Sequence, residues 1–215
     1  MARNGQGGGK VYLTRIEMEL SDHAIRSGIQ DRQRLHKLIT GLFQSDRKGA
    51  EILFRCRNRG MNTDVYIYSS VPVEKERILP SMHIIAQRDL TEWLLTLKNG
   101  SIYGFQLITL PFKKVSESGR KNSRRRALKN ARERLEWLER KAEQNGFTIL
   151  SVNETPSEEV KAWHPDEKGG RLTMNTYCYT GLLKISDAEA FQKAIRTGIG
   201  PGKAYGLGML ILARG

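Results

Sequence analysis

The order in which hydrophobic periodicity changes along residues 11–112 leaves few folds open. From Tyr12, residues 12–18 alternate apolar and polar side chains, the period of a half-buried strand. Ser21 and Asp22 then start a less regular segment. Over 30–43, Leu35, Leu38, Ile39, Leu42 and Phe43 recur at helical spacing with Lys and Arg in much of the remainder, which predicts the first helix. Strands are expected over 51–57 and 64–69, joined as a hairpin by the turn-prone Asn58-Arg59-Gly60-Met61-Asn62. A loop containing Pro72 and Pro80 follows, then a short helix over 91–97 stopped by Asn99-Gly100, then a strand over 101–112. The resulting β-α-β-β-α-β order is one ferredoxin-like unit.

The second half repeats the theme. From about Arg124 a helix is expected, with Leu128, Ala131, Leu135, Leu138 and Ala142 as its core stripe and Gly146 as its stop. A strand over 147–152, a polar loop over 156–170, a bent strand or hairpin end over 171–185, a helix over 187–196 and a last strand over 205–213 complete the chain. The expected class is α+β: two tandem ferredoxin-like (RRM-like) domains with antiparallel sheets. They would occupy 11–114 and 115–215, behind a flexible tail or alternative start over 1–10. At 215 residues with 39% hydrophobic side chains, the chain can build both cores.

Charge narrows the partner. With 36 Lys and Arg against 23 Asp and Glu, the formal net charge is +13, which favours a polyanion. No apolar run approaches the ~18 residues of a membrane span, and residues 1–10 lack a signal peptide's apolar core, so no membrane role is expected. Residues 113–134 hold ten cations (Lys113, Lys114, Arg120, Lys121, Arg124, Arg125, Arg126, Lys129, Arg132, Arg134) against Glu117 and Glu133. A one-signed segment running from a loop into a helix can contact several phosphates and release their counterions. Without an RNP-like run of aromatics flanked by glycine, single-strand stacking is not the obvious mode, and structured RNA held by its backbone fits better. Cys56 and Cys178 lack CxxC spacing and the four histidines are scattered, so no metal and no cofactor are expected, and the compartment is a reducing cytoplasm.

Residues 197–208 carry five glycines in twelve positions, ahead of the apolar run 209–213. Such density suits a loop whose N–H groups face an anion, with Lys203 at its centre and Gly198, Gly200, Gly202 and Gly206 as candidate contacts. A Walker loop is excluded because Thr197 stands where its first glycine belongs and Ala204 follows Lys203. A dinucleotide fingerprint is excluded because Lys203 or Tyr205 falls at its third glycine. A plain glycine-rich connector is the alternative.

His36, flanked by Arg34 and Lys37 on the first helix, is the candidate for proton transfer. RNA carries its own nucleophile in the 2′-OH. A protein can therefore cut it by supplying a base for that hydroxyl, an acid for the 5′ leaving oxygen, and cations for the phosphorane charge.

Several stretches together resemble the CasE, or Cse3, family of CRISPR-associated endoribonucleases. They are Val11-Tyr12-Leu13-Thr14-Arg15, Leu35-His36-Lys37-Leu38 ending in Leu42-Phe43, the basic segment before Trp137-Leu138, Tyr177-Cys178-Tyr179-Thr180-Gly181, and Gly198-Ile199-Gly200-Pro201-Gly202-Lys203-Ala204-Tyr205-Gly206-Leu207-Gly208. The resemblance implies metal-independent cleavage of a CRISPR repeat hairpin that leaves a 2′,3′-cyclic phosphate and a 5′-OH. It also implies retention of the product RNA within the Cascade complex alongside other Cascade subunits, by a protein that is monomeric when free. His36 would be the catalytic histidine, as base or acid. Gln33 stands where relatives carry a tyrosine; it can hydrogen-bond a phosphate oxygen but cannot share in proton transfer. Lys168 and Arg171 are both candidates for the family's catalytic lysine. A non-catalytic subunit that binds structured RNA is the alternative.

Overall fold

The computed structural model describes residues 9–45, 48–115, 124–164 and 170–214. The first sheet consists of β1 (Tyr12–Glu19), β2 (Leu53–Arg59), β3 (Asn62–Ser69) and β4 (Met82–Asp89), all antiparallel, in the order β2-β3-β1-β4. Between β1 and β2 run two helices, α1 (His23–Gln30) and α2 (Arg32–Thr40). Ile25, Leu35 and Ile39 of these helices close the core over Ile16, Met18, Phe54, Val65 and Ile67.

Two expectations change here. The irregular segment after Ser21 is helical because Asp22 accepts from the N–H groups of Ala24 and Ile25; Asp31, extended at φ −126°, then breaks the run and caps α2. Residues 82–89 are a strand, not loop. Ile85 is apolar yet exposed, so the alternation that would reveal the strand is blurred, although Met82 is buried. A 3-10 turn, Lys75–Arg77, stands where a ferredoxin-like unit has its second helix, and α3 (Thr91–Leu95) follows β4.

The later strands are β5 (Ile102–Thr109), β6 (Phe112–Val115), β7 (Arg124–Ala127), β8 (Phe147–Pro156), β9 (Val160–His164), β10 (Gly170–Met174), β11 (Tyr177–Ile185) and β12 (Leu210–Arg214). The second sheet has the order β12-β5-β11-β8, again antiparallel, with the two short hairpins β6–β7 and β9–β10 outside it. Its core lies under α4 (Ala131–Gln144) and α5 (Ala188–Thr197): Trp137, Leu138, Phe191 and Ile195 cover Leu107, Phe147, Tyr179 and Leu183.

The strand expected over 101–112 therefore belongs to the second sheet. Once β4 occupies the free side of β1, β5 pairs with β11 and β12 instead, and the sheets divide between Asp89 and Ile102 rather than after Lys114. Arg124–Ala127 is extended, not helical, because it pairs with Phe112–Val115. The helix waits for Asn130, whose side chain accepts from Arg132 N. The stretch 156–170, expected as loop, contains β9; the stretch 171–185 is two strands; and the last strand starts at Leu210, after a 3-10 turn at Lys203–Tyr205.

Candidate functional site

One end of the second sheet gathers most of the residues singled out by the sequence. Tyr177 at the start of β11 lies opposite both Thr109 at the end of β5 and Pro156 at the end of β8. The N–H of Gly208, just before β12, donates to Ile108 O at 2.8 Å. Consequently the β6–β7 hairpin, the β9–β10 hairpin and the glycine-rich loop all leave from the same edge. Against them packs α2, which touches both β9 and the Lys203–Tyr205 turn.

The glycines of this loop are required by the chain itself. Gly198, Gly200, Gly202, Gly206 and Gly208 all have φ between +73° and +85°, which side chains disfavour. A Cβ on Gly198 would meet Leu53 at 2.9 Å and one on Gly206 would meet Phe54 at 3.0 Å, both from the first sheet; one on Gly200 would meet Thr109 Oγ1 at 2.5 Å. The N–H groups of Gly198 and Gly206 donate inward, to Ala194 O and Lys203 O. The loop is thus the filling between the two sheets, and its centre, Lys203, is half-buried near Lys48 and Arg196.

At the start of α2 a single carboxylate joins two elements. Asp31 Oδ1 accepts from Gln33 N at 3.0 Å, capping the helix, and from Trp163 N of β9 at 3.2 Å. Its other oxygen lies 3.6 Å from Arg34 Nε, and Arg34 also donates to Ser27 Oγ. Beside this junction opens a cavity of about 480 Å³, lined by Ser27, Asp31, Arg34, Lys161, Trp163 and Arg171. Arg171 is exposed and sits across the β9–β10 ladder from Trp163, whose indole is 56% exposed. Lys168 lies outside the described residues. His36 is half-buried on α2, one turn beyond Arg32, and is not among the cavity-lining residues; Gln33 is half-buried and Lys37 exposed.

In the basic segment, Lys113, Lys114, Arg126 and Lys129 are exposed, with Lys113 Nζ 2.9 Å from Glu133. Arg120 and Lys121 lie outside the described residues, as do the side chains of Arg124 and Arg125. Arg134 is not a surface cation: it is buried, bonds Glu154 through Nε (3.0 Å) and NH2 (2.6 Å), and lies 3.9 Å over the Tyr177 ring. Burial alone would raise the Glu154 pKa, but hydrogen bonds from Arg134 and Tyr179 outweigh it and hold the carboxyl below its ordinary range.

Sequence reasoning missed Asp31 and Trp163. An aspartate before a helix signals a cap, but nothing local to Asp31 announces a partner on a distant strand. Trp163 sits inside a stretch of loop-like composition, which conceals it.

The family model described as "CRISPR associated protein" matches residues 11–214. The CRISPR-associated endoribonuclease Cse3 of Thermus thermophilus is 32% identical over 217 residues, spanning 94% of this chain and all of that protein. The Cascade subunit CasE of Escherichia coli is 31% identical over 116 residues, 51% of this chain and 56% of its own length. Among solved structures, a CRISPR endoribonuclease Cse3 bound to 19 nt RNA superposes with a TM-score of 0.83 at 24% identity, covering 95% of this chain and all of that one. With the family model matched over nearly the whole length and a relative 32% identical across all of its own, the chain belongs to the CRISPR-associated protein family that includes Cse3 and CasE.

Proposed function

We propose that this protein is a CRISPR RNA-processing endoribonuclease that cleaves the repeat hairpin of a precursor transcript and stays on the product within a Cascade complex. The observation that carries the reading is the convergence on one edge of the basic β6–β7 hairpin, the β9–β10 hairpin with Arg171, and α2 with His36. Such an edge holds a folded polyanion by its backbone while presenting an imidazole. The reaction is attack of the 2′-OH on the adjacent phosphorus: the P–O5′ bond breaks, giving a 2′,3′-cyclic phosphate and a 5′-OH, with no net change in water or redox state. His36 takes or gives one of the two protons moved. Arg171, and Lys168 by resemblance, offset the charge on the phosphorane. Gln33 hydrogen-bonds a phosphate oxygen. Both cysteines are free thiols, in keeping with work in the cytoplasm.

The test is incubation of repeat RNA with the protein in EDTA, beside the same RNA carrying a 2′-deoxy sugar at the cut site. Natural RNA should be cut and the deoxy substrate left whole. Binding without cleavage of natural RNA would instead make the chain a non-catalytic hairpin-binding subunit, and cleavage of the deoxy RNA would contradict 2′-OH attack.

A further inference from the structure

A second cavity, of about 220 Å³, lies in the seam between the sheets, lined by Arg32, Arg55 and Arg57 from the first half of the chain and by Glu158, Thr176 and Tyr205 from the second. Arg32, the first residue of α2, is only 9% exposed; its NH1 is buried and meets no acceptor among the described residues. Nε and NH1 of Arg55 are in the same condition. Guanidinium groups withdrawn from water are normally answered by a carboxylate. The carboxylate among the lining residues, Glu158, faces Asn58 Nδ2, 3.5 Å from each oxygen. Arg32 also bonds the Cys56 sulfur, but burial pushes that thiol's pKa up, which keeps it neutral. Burial likewise pulls Arg55's pKa down, the sign of a cation held without sufficient compensation.

Exchanging such groups for apolar ones commonly stabilises a fold, so a wall of them is the mark of a site that waits for an anion. The chamber admits a phosphate group through donors fixed on two rigid elements, β2 and α2. Arg32 and His36 are four residues apart on α2 and share a helix face, so whatever phosphate Arg32 holds is one turn from the imidazole. We propose that this seam cavity is a phosphate site, with Arg32 and Arg55 as its donors, filled by a backbone phosphate of the bound RNA. The source of the phosphate rests on the endoribonuclease reading; the site itself does not.

Two measurements on the full-length protein test this, using R55M and R32M. First, thermal melts of RNA-free protein are compared in chloride and in inorganic phosphate at equal ionic strength. Phosphate should raise the midpoint of the native protein, and the rise should disappear in both variants, while R55M itself melts higher than native protein in chloride. Second, the affinity for repeat hairpin RNA is followed against salt. Each variant should bind more weakly, and its log–log slope should flatten by roughly 0.7–0.9, the signature of one phosphate no longer neutralised. A phosphate-induced rise that persists in both variants overturns the site. An unchanged RNA slope with the rise abolished overturns the assignment to RNA and makes the ligand free phosphate. If native protein shows the rise but ignores hairpin RNA, the site stands and the endoribonuclease reading falls. Should R55M fail to fold, R32M alone carries both readouts.

Discussion

His36 on α2 should act on the chemical step and not on binding. Replacing it with alanine is expected to slow cleavage by about 10²–10⁴-fold, the usual loss on removing one general acid or base, with RNA affinity unchanged. Single-turnover rates beside equilibrium binding check this; a parallel fall in affinity would make the histidine structural. Asp31 makes a different prediction. Its one oxygen caps α2 and accepts from Trp163 N, so it couples the histidine's helix to the hairpin that bears Arg171. D31N retains an acceptor for both bonds and should cleave normally. D31S still caps the helix but is too short to reach β9, and it should keep the stability of the native protein to within about 1 kcal/mol while its cleavage rate falls. Equal rates for D31S and D31N would remove Asp31 from the positioning of the site. The sequence singles out His36 because Arg34 and Lys37 flank it. The second role of Asp31 was not, since its partner is supplied by tertiary folding.

Among the elements, α4 is tied to the second sheet by the buried Arg134–Glu154 pair, which Tyr179 completes by donating to Glu154 Oε2 at 2.8 Å. Removing the cation in R134M leaves a half-buried carboxylate with Tyr179 as its remaining donor and should cost about 1–3 kcal/mol, much of it recovered in R134M/E154Q. The acid limb follows from the same pair. Because the folded state holds the Glu154 pKa below its ordinary value, the pair's contribution is fully present above the unfolded glutamate value of about 4.3 and is lost as pH falls through the lower, folded value. Urea melts over that range should show E154Q with a flatter loss of stability than the native protein. Arg134 also shows why counting charges misplaces elements: within the cationic run it looked like surface, yet it anchors the core. For the same reason Arg124–Ala127 looked like the first turn of a helix. Arginine has good intrinsic helix propensity, and only the pairing with Phe112–Val115 overrides it. The two-unit plan was readable from periodicity alone. The exchange of β5 between units was not, because β4 hid its alternation behind the exposed Ile85.

For the molecule as a whole, the +13 charge should set the salt dependence of RNA binding. Neutralising Arg124, Arg125 and Arg126 together is expected to flatten the log–log slope by roughly 0.7–0.9 for every phosphate the hairpin ceases to neutralise, with little change in the single-turnover cleavage rate at saturating protein. An unaltered slope would return the β6–β7 hairpin to the role of a solvated surface. The mutual orientation of the sheets depends on the glycine-rich loop, whose backbone is wedged against Leu53, Phe54, Thr109 and Trp137. All four of those residues leave the ribosome before the loop does. The two sheets can therefore take up their fixed mutual orientation only when this late segment, and β12 behind it, has been made.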